Sequence, residues 1–111
     1  MERILKAYHH SLAGLKAAFA NEQAFREEAV LAAVMIPLAF LLAPDTVWLV
    51  LMIASVVLVL IVELLNTGIE AAIDRISEEI HPLSKIAKDV GSSAVLLSLL
   101  LAGFVWIVAL F

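Results

Sequence analysis

Hydrophobic positions along this chain follow two patterns, one periodic and one continuous. Over residues 1–20, Ile4, Tyr8, Leu12, Leu15 and Phe19 recur at helical spacing, with Arg3, Lys6, His10 and Lys16 largely off that stripe, which predicts an amphipathic helix. Three apolar runs follow: Ala29 to Ala43, Val47 to Val62 (resumed after Glu63 by Leu64 and Leu65), and Val90 to Phe111. Polar breakers separate them. Asn21-Glu22 interrupts the first helix, Asn21 being expected to cap the next through its side-chain oxygen and Glu22 to sit in its first turn, where the helix dipole favours anions. Pro44-Asp45-Thr46 predicts a tight turn in which Asp or Thr caps the following helix. That helix can run unbroken from about Thr46 to Ile80, roughly 50 Å, until Pro82 stops it and biases His81 toward extended backbone. His81-Pro82-Leu83-Ser84 reads as a loop, and Lys85-Ile-Ala-Lys88-Asp89 leads into the last run through Gly91-Ser92-Ser93.

Composition assigns these runs to a membrane. With 64% hydrophobic and 16% charged residues, a water-soluble domain is excluded. A hydrocarbon core of roughly 30 Å needs about 20 helical residues, which the last run supplies alone. The first run is short and contains Pro37, so a re-entrant hairpin with the second run stands beside a full span, and the full span is the preferred reading. All 7 basic residues precede the first run or lie between the second and third, and the Pro44-Asp45-Thr46 turn has none. By the positive-inside rule the N-terminus and residues 66–89 are cytoplasmic and Phe111 ends outside. The expected organisation is a single all-α membrane domain over residues 1–111. It comprises an interfacial amphipathic helix (1–20) and three transmembrane helices, at about 28–43, about 47–65 (continuing as a cytoplasmic helix to about 80) and about 90–111. The first helix suits the lipid interface, where lysines meet anionic headgroups, or packing back onto the bundle. The net charge of -4 gives no footprint for nucleic acid. The absence of cysteine removes disulfides and thiolate metal sites. The charged first 28 residues do not resemble a signal peptide, so the first span is expected to be retained.

Candidate chemistry concentrates where the second apolar run gives out. At about 100° per residue, Glu63, Asn66, Glu70 and Asp74 fall on one face of a helix and form a polar stripe that straddles the membrane boundary. A carboxylate inside a span costs on the order of 2.5–3.5 kcal/mol, which makes Glu63 a functional candidate. Glu63 and Glu70 stand about 10 Å apart along the axis and should divide labour. One can take a proton from an amphiphilic substrate's hydroxyl while the other helps to hold Mg²⁺, which prefers one or two carboxylates plus phosphate oxygens and water. A polar seam between helices, or an ion path, is the non-enzymatic alternative. No P-loop or kinase glycine-rich loop is present, so these residues do not by themselves reach ATP. Lys85 and Lys88 also read as snorkelling anchors, His9 and His10 as interfacial side chains or metal ligands, and Gly91 to Ala94 as a place of close helix approach.

At these residues the sequence resembles the small prokaryotic diacylglycerol kinase family, whose signature has the form Glu-x-aliphatic-Asn-Ser/Thr-Ser/Ala-aliphatic-Glu-x-x-Val-Asp. Glu63-Leu-Leu-Asn66-Thr67 and Glu70-Ala-Ala-Ile73-Asp74 fit it, as do Asn21-Glu22 with Ala24-Phe25-Arg26, and Ala87-Lys88-Asp89 with Gly91-Ser92. Gly68 and Ile73 depart from it. The resemblance implies a homotrimer of three-span subunits in the bacterial inner membrane, with active sites shared between neighbours, acting in phospholipid metabolism. It implies transfer of the γ-phosphate of MgATP to a lipid hydroxyl, with ATP as co-substrate and Mg²⁺ as cofactor. Glu63 then matches the general base (proton acceptor), and Glu22 and Glu70 the metal-binding carboxylates. Arg3, His10, Glu22, Glu70, Glu79, His81, Lys88 and Asp89 match nucleotide contacts; Arg3, Glu63 and Ser92 match the lipid-substrate site; Asn66 and Asp74 support it. Diacylglycerol is the expected substrate. Undecaprenol is the alternative within the family, because His81-Pro82-Leu83 and Lys85-Ile-Ala-Lys88-Asp89 look like its undecaprenol kinase branch, whereas Asp74-Arg75-Ile76-Ser77 and Gly91-Ser92-Ser93 look like the diacylglycerol branch.

Overall fold

A computed structural model describes residues 1–76 and 79–111. It is all-helical, with α1 (Glu2–Asn21), α2 (Gln23–Leu42), α3 (Thr46–Ile76) and α4 (Pro82–Leu110). Among the described residues, α3 and α4 are long and apolar enough to cross a membrane. α2 runs unbroken through Pro37, but Arg26, Glu27 and Glu28 occupy its first two turns.

α3 is the centre of the molecule, with α2 and α4 packed along it and α1 lying against α2 and the distal part of α3. The core is a seam of Ala32 and Ala39 from α2, Met52 and Val56 from α3, and Trp106 and Ala109 from α4. The alanines, seven residues apart, let α2 approach closely, as small residues do where dispersion rather than water expulsion holds helices together. Trp106 Nε1 donates to the Met52 backbone oxygen at 3.2 Å, and that same oxygen accepts Ser55 Oγ at 2.8 Å. The outer faces stay apolar, with Leu41, Val47, Leu97 and Phe104 all well over half exposed. On α1, the Ile4, Tyr8, Leu12, Leu15 and Phe19 stripe is exposed as well, and only Ala18 is buried. Within one chain, then, that stripe does not pack back as core.

Three local expectations are corrected. Asn21 does not cap α2. It ends α1, and its Nδ2 donates back to Ala17 O at 2.9 Å, while Arg26 Nη1 donates to Phe19 O and Ala20 O at 3.0 Å each. Arg26 meets carbonyls that the C-terminus of α1 leaves open, and Asn21, itself the last helical residue, lacks the extended backbone of a cap. Glu22 is accordingly the extended hinge residue (φ -115, ψ 110) and stands before the first turn of α2 rather than inside it. The second correction concerns His81-Pro82-Leu83-Ser84, of which Pro82 to Ser84 form the first turn of α4. Proline suits that first position because its missing N–H would be unpaired there, and His81 Nδ1 accepts from Leu83 N at 3.1 Å as the cap. The third follows from the second: with Pro82 already helical, reversal of the chain must come out of the tail of α3, which is helical to Ile76, with Glu79 and Ile80 not helical. Residues 77 and 78, which the expected helix included, lie outside the described residues. The cap at the other end of α3 is as expected, with Asp45 Oδ1 accepting from Trp48 N at 2.9 Å.

Candidate active site along the third helix

The polar stripe of α3 forms a gradient of burial. Glu63 is 6% exposed and Asn66 8%, Glu70 is half-buried and Asp74 exposed. The gradient arises because α3 outruns the packed seam and leaves its last turns covered only in part. Asn66 Nδ2 donates to Glu70 Oε1 at 3.1 Å, one helical turn away. Farther along, Lys88 Nζ of α4 donates to Asp74 Oδ1 at 2.7 Å, and Lys85 pairs with Asp89 at 2.6 Å within α4. Both pairs are exposed, which makes them weak contributors to stability.

Opposite Glu63, across the interface with α2, stands the carboxyl group of Glu28. Glu28 Oε2, Glu63 Oε2 and Asn66 Oδ1 are buried without a hydrogen-bond partner. Native proteins rarely leave such groups bare unless they are put to use. Two carboxyl groups in contact can hold and pass a proton, which is the task of a general base. Glu28 is not among the residues that the sequence pattern singles out. The signal was available, since Glu28 shares a face of α2 with Phe25, Ala32 and Ala39, and that face is the buried one.

Two cavities flank the stripe. One, of about 240 Å³ at the junction of α3 and α4, is lined by Asp74, Glu79, His81, Lys85, Lys88 and Asp89, and so brings together four of the residues matched to nucleotide contacts. The other, of about 620 Å³ between α1 and α3, has Asn21, Glu22, Thr67 and Gly68 on its wall. Arg3 and His10 lie exposed on α1 and line neither cavity, and Ser92 is exposed on α4. Among the described residues no group of three or more His, Cys, Asp or Glu side chains is arranged to hold a metal ion. Glu22 stands on the wall of the larger cavity, whereas Glu70 lines neither cavity and is bonded to Asn66. One or two carboxylates are the protein donors that Mg²⁺ takes, phosphate and water completing its shell.

The model of the family described as prokaryotic diacylglycerol kinase matches residues 9–110. The chain is 52% identical over 106 residues to the diacylglycerol kinase of Pseudomonas aeruginosa, covering 96% of this chain and 86% of that protein. It is 48% identical over 108 residues to the diacylglycerol kinase of Escherichia coli K12, covering 97% and 88%. Identity to the Haemophilus influenzae diacylglycerol kinase is 46% over 106 residues, covering 96% and 90%.

Proposed function

The chain belongs to the prokaryotic diacylglycerol kinase family, and from that premise we propose that Glu63 is the general base of its phosphoryl transfer. The enzyme is a membrane lipid kinase acting on diacylglycerol. The lipid hydroxyl attacks the γ-phosphorus of ATP, the bond from that phosphorus to the β–γ bridging oxygen breaks, and ADP and phosphatidic acid result. Glu63 takes the hydroxyl proton. The observation that carries this role is the burial of the Glu63 carboxyl group against that of Glu28, on the one carboxylate of the stripe that lies within the apolar run. A carboxylate buried in this way can take the proton of a hydroxyl brought to it.

Glu22 and Glu70 would hold Mg²⁺, which when bound neutralises charge on the phosphates. Lys88 reaches phosphate, and Asp89, Glu79 and His81 close on the nucleotide from the smaller cavity. Arg3 and His10 approach the nucleotide from α1, and Arg3 and Ser92 flank the lipid headgroup. Asn66 and Asp74 orient Glu70 and Lys88, as their hydrogen bonds support. Since Arg3, His10 and Ser92 lie apart from both cavities in one chain, the reading includes a homotrimer with sites shared between subunits. α2 is then the third span, in the bacterial inner membrane, with residues 66–89 and the N-terminus cytoplasmic and Phe111 outside. Its apolar part is about 20 Å long, shorter than the hydrocarbon, and the bilayer adapts to such a shortfall at modest cost.

The test is transfer of labelled phosphate from MgATP to diacylglycerol and to undecaprenol, side by side in mixed micelles, by the unmodified protein and by Glu63→Gln. Transfer to diacylglycerol that is lost in the variant is expected. Preference for undecaprenol would change the substrate but keep the mechanism, full activity of Glu63→Gln would remove Glu63 as base, and no transfer to either lipid would return the stripe to a structural seam. The names of the relatives weigh for diacylglycerol.

A further inference from the structure

Gly14, Gly68 and Gly103 have open space where a Cβ would stand, whereas Gly91 does not. A methyl group on Gly91 would overlap Asn66 Oδ1 and stand 3.3 Å from Asn66 Cγ and 3.9 Å from Asn66 Cβ. All of its nearest neighbours therefore belong to one side chain. Gly91 is buried in α4 and Asn66 is buried in α3, so the two helices meet at this point with the amide filling the space a side chain would take.

The amide is held at both edges. Its Nδ2 donates to Glu70 Oε1 at 3.1 Å, and its Oδ1 lies against Gly91 without a hydrogen-bond partner. A flip of the amide would give Oδ1 no donor at Glu70 and set two acceptors against each other, so only the observed orientation serves. A methyl at position 91 cannot be met by a small shift of a flexible tip, because the overlapping atom sits on a short, planar group two bonds from its Cβ. Asn66 must leave its seat, and its bond to Glu70 leaves with it.

We infer that Gly91 is a positioning residue: the notch it leaves in α4 seats the Asn66 amide, and the seated amide fixes Glu70 Oε1 so that Oε2 is presented to a divalent cation. The inference rests on the reading of Glu70 as a metal carboxylate. Loss of a residue that hydrogen-bonds a metal-ligating group typically costs about 10- to 100-fold in metal affinity.

The experiment measures binding of Mn²⁺ by electron paramagnetic resonance, in the presence of ADP, to the full chain in micelles without lipid substrate. Gly91→Ala and Asn66→Ala should each weaken Mn²⁺ binding about tenfold or more. The double variant should bind as Asn66→Ala does, because the shortened side chain makes room for the methyl group; independent effects would multiply instead. Gly103→Ala should bind as the unmodified protein. Binding by Gly91→Ala within about twofold of the unmodified protein, or multiplied losses in the double variant, would overturn the positioning role. Glu70→Gln separates this from the underlying assignment: Mn²⁺ lost there but kept in Gly91→Ala overturns the positioning role alone, whereas Mn²⁺ kept in Glu70→Gln overturns Glu70 as a ligand. If Gly91→Ala does not fold, recovery of the fold in the double variant supports the seat, and failure of both overturns it.

Discussion

Glu63→Gln removes a proton-accepting oxygen and almost nothing else. Gln has the same shape, and at 6% exposure no solvent enters to compensate. The new amide can donate to the Glu28 carboxyl group opposite, so the exchange leaves neither partner bare. The stability of the fold should therefore change by less than about 1.5 kcal/mol, the size of one net hydrogen bond. General-base catalysis is worth about 10²–10⁴ in rate, which at about 1.36 kcal/mol per decade is about 2.7–5.5 kcal/mol of barrier. Residue 63 is about 10 Å along α3 from Glu70, so nucleotide affinity should be nearly untouched. The expected result is kcat down by a factor of about 100–10,000 and KM for MgATP within about twofold. Release of ADP and labelled phosphatidic acid give the rates, and denaturation of the protein in micelles gives the stability. A fall in kcat below about tenfold would refute the base assignment. A large fall accompanied by an equal loss of nucleotide affinity and of stability would show that Glu63 holds the bundle together instead.

Other perturbations test the fold around the site. Trp106→Phe removes the 3.2 Å bond to Met52 O but leaves that oxygen its Ser55 partner; hydrogen bonds of this kind in membrane proteins average about 0.6 kcal/mol and seldom exceed about 1.7. Trp106→Ala should cost more, about 3–5 kcal/mol, and equal costs in a denaturation series would mean that the bond rather than the ring joins α3 to α4. Gly68→Ala meets no atom within 4 Å, so it should raise stability by up to about 1 kcal/mol; a loss of stability would reveal another surface lying against Gly68. Arg26→Ala frees the carbonyls of Phe19 and Ala20, and amide exchange should quicken near the α1–α2 junction while α3 is unaffected. Unchanged exchange at that junction would deny Arg26 its role as a clasp.

What could be read from the sequence was what a single helix decides. Glu63, Asn66, Glu70 and Asp74 lie within three helical turns, so their common face follows from periodicity without knowledge of any neighbour. The cap at Asp45 is local in the same sense. What escaped was set between helices. Glu28 faces Glu63 only because α2 packs on α3 along Ala32 and Ala39, and Gly91 matters only because Asn66 lies opposite. Asn21 does not cap because α1 runs one residue farther than the polar pair suggests, which moves the capping position to Glu22. The start of α4 was misread because proline stops one helix and opens another equally well, and only its place relative to the chain reversal tells which.

The burial gradient of α3 has a consequence for how such a chain can change length. Both halves of the chemistry hang from one continuous helix, so a residue inserted between Asn66 and Glu70 would turn everything beyond it by about 100° and carry Glu70 and Asp74 off the common face. Four inserted residues would nearly restore the face yet lengthen the gap by about 6 Å, more than a carboxylate can reach across. This segment is therefore a gauge block: its residues can be exchanged one for one, but its count is fixed, and variation in length has to be absorbed in the turns at either end.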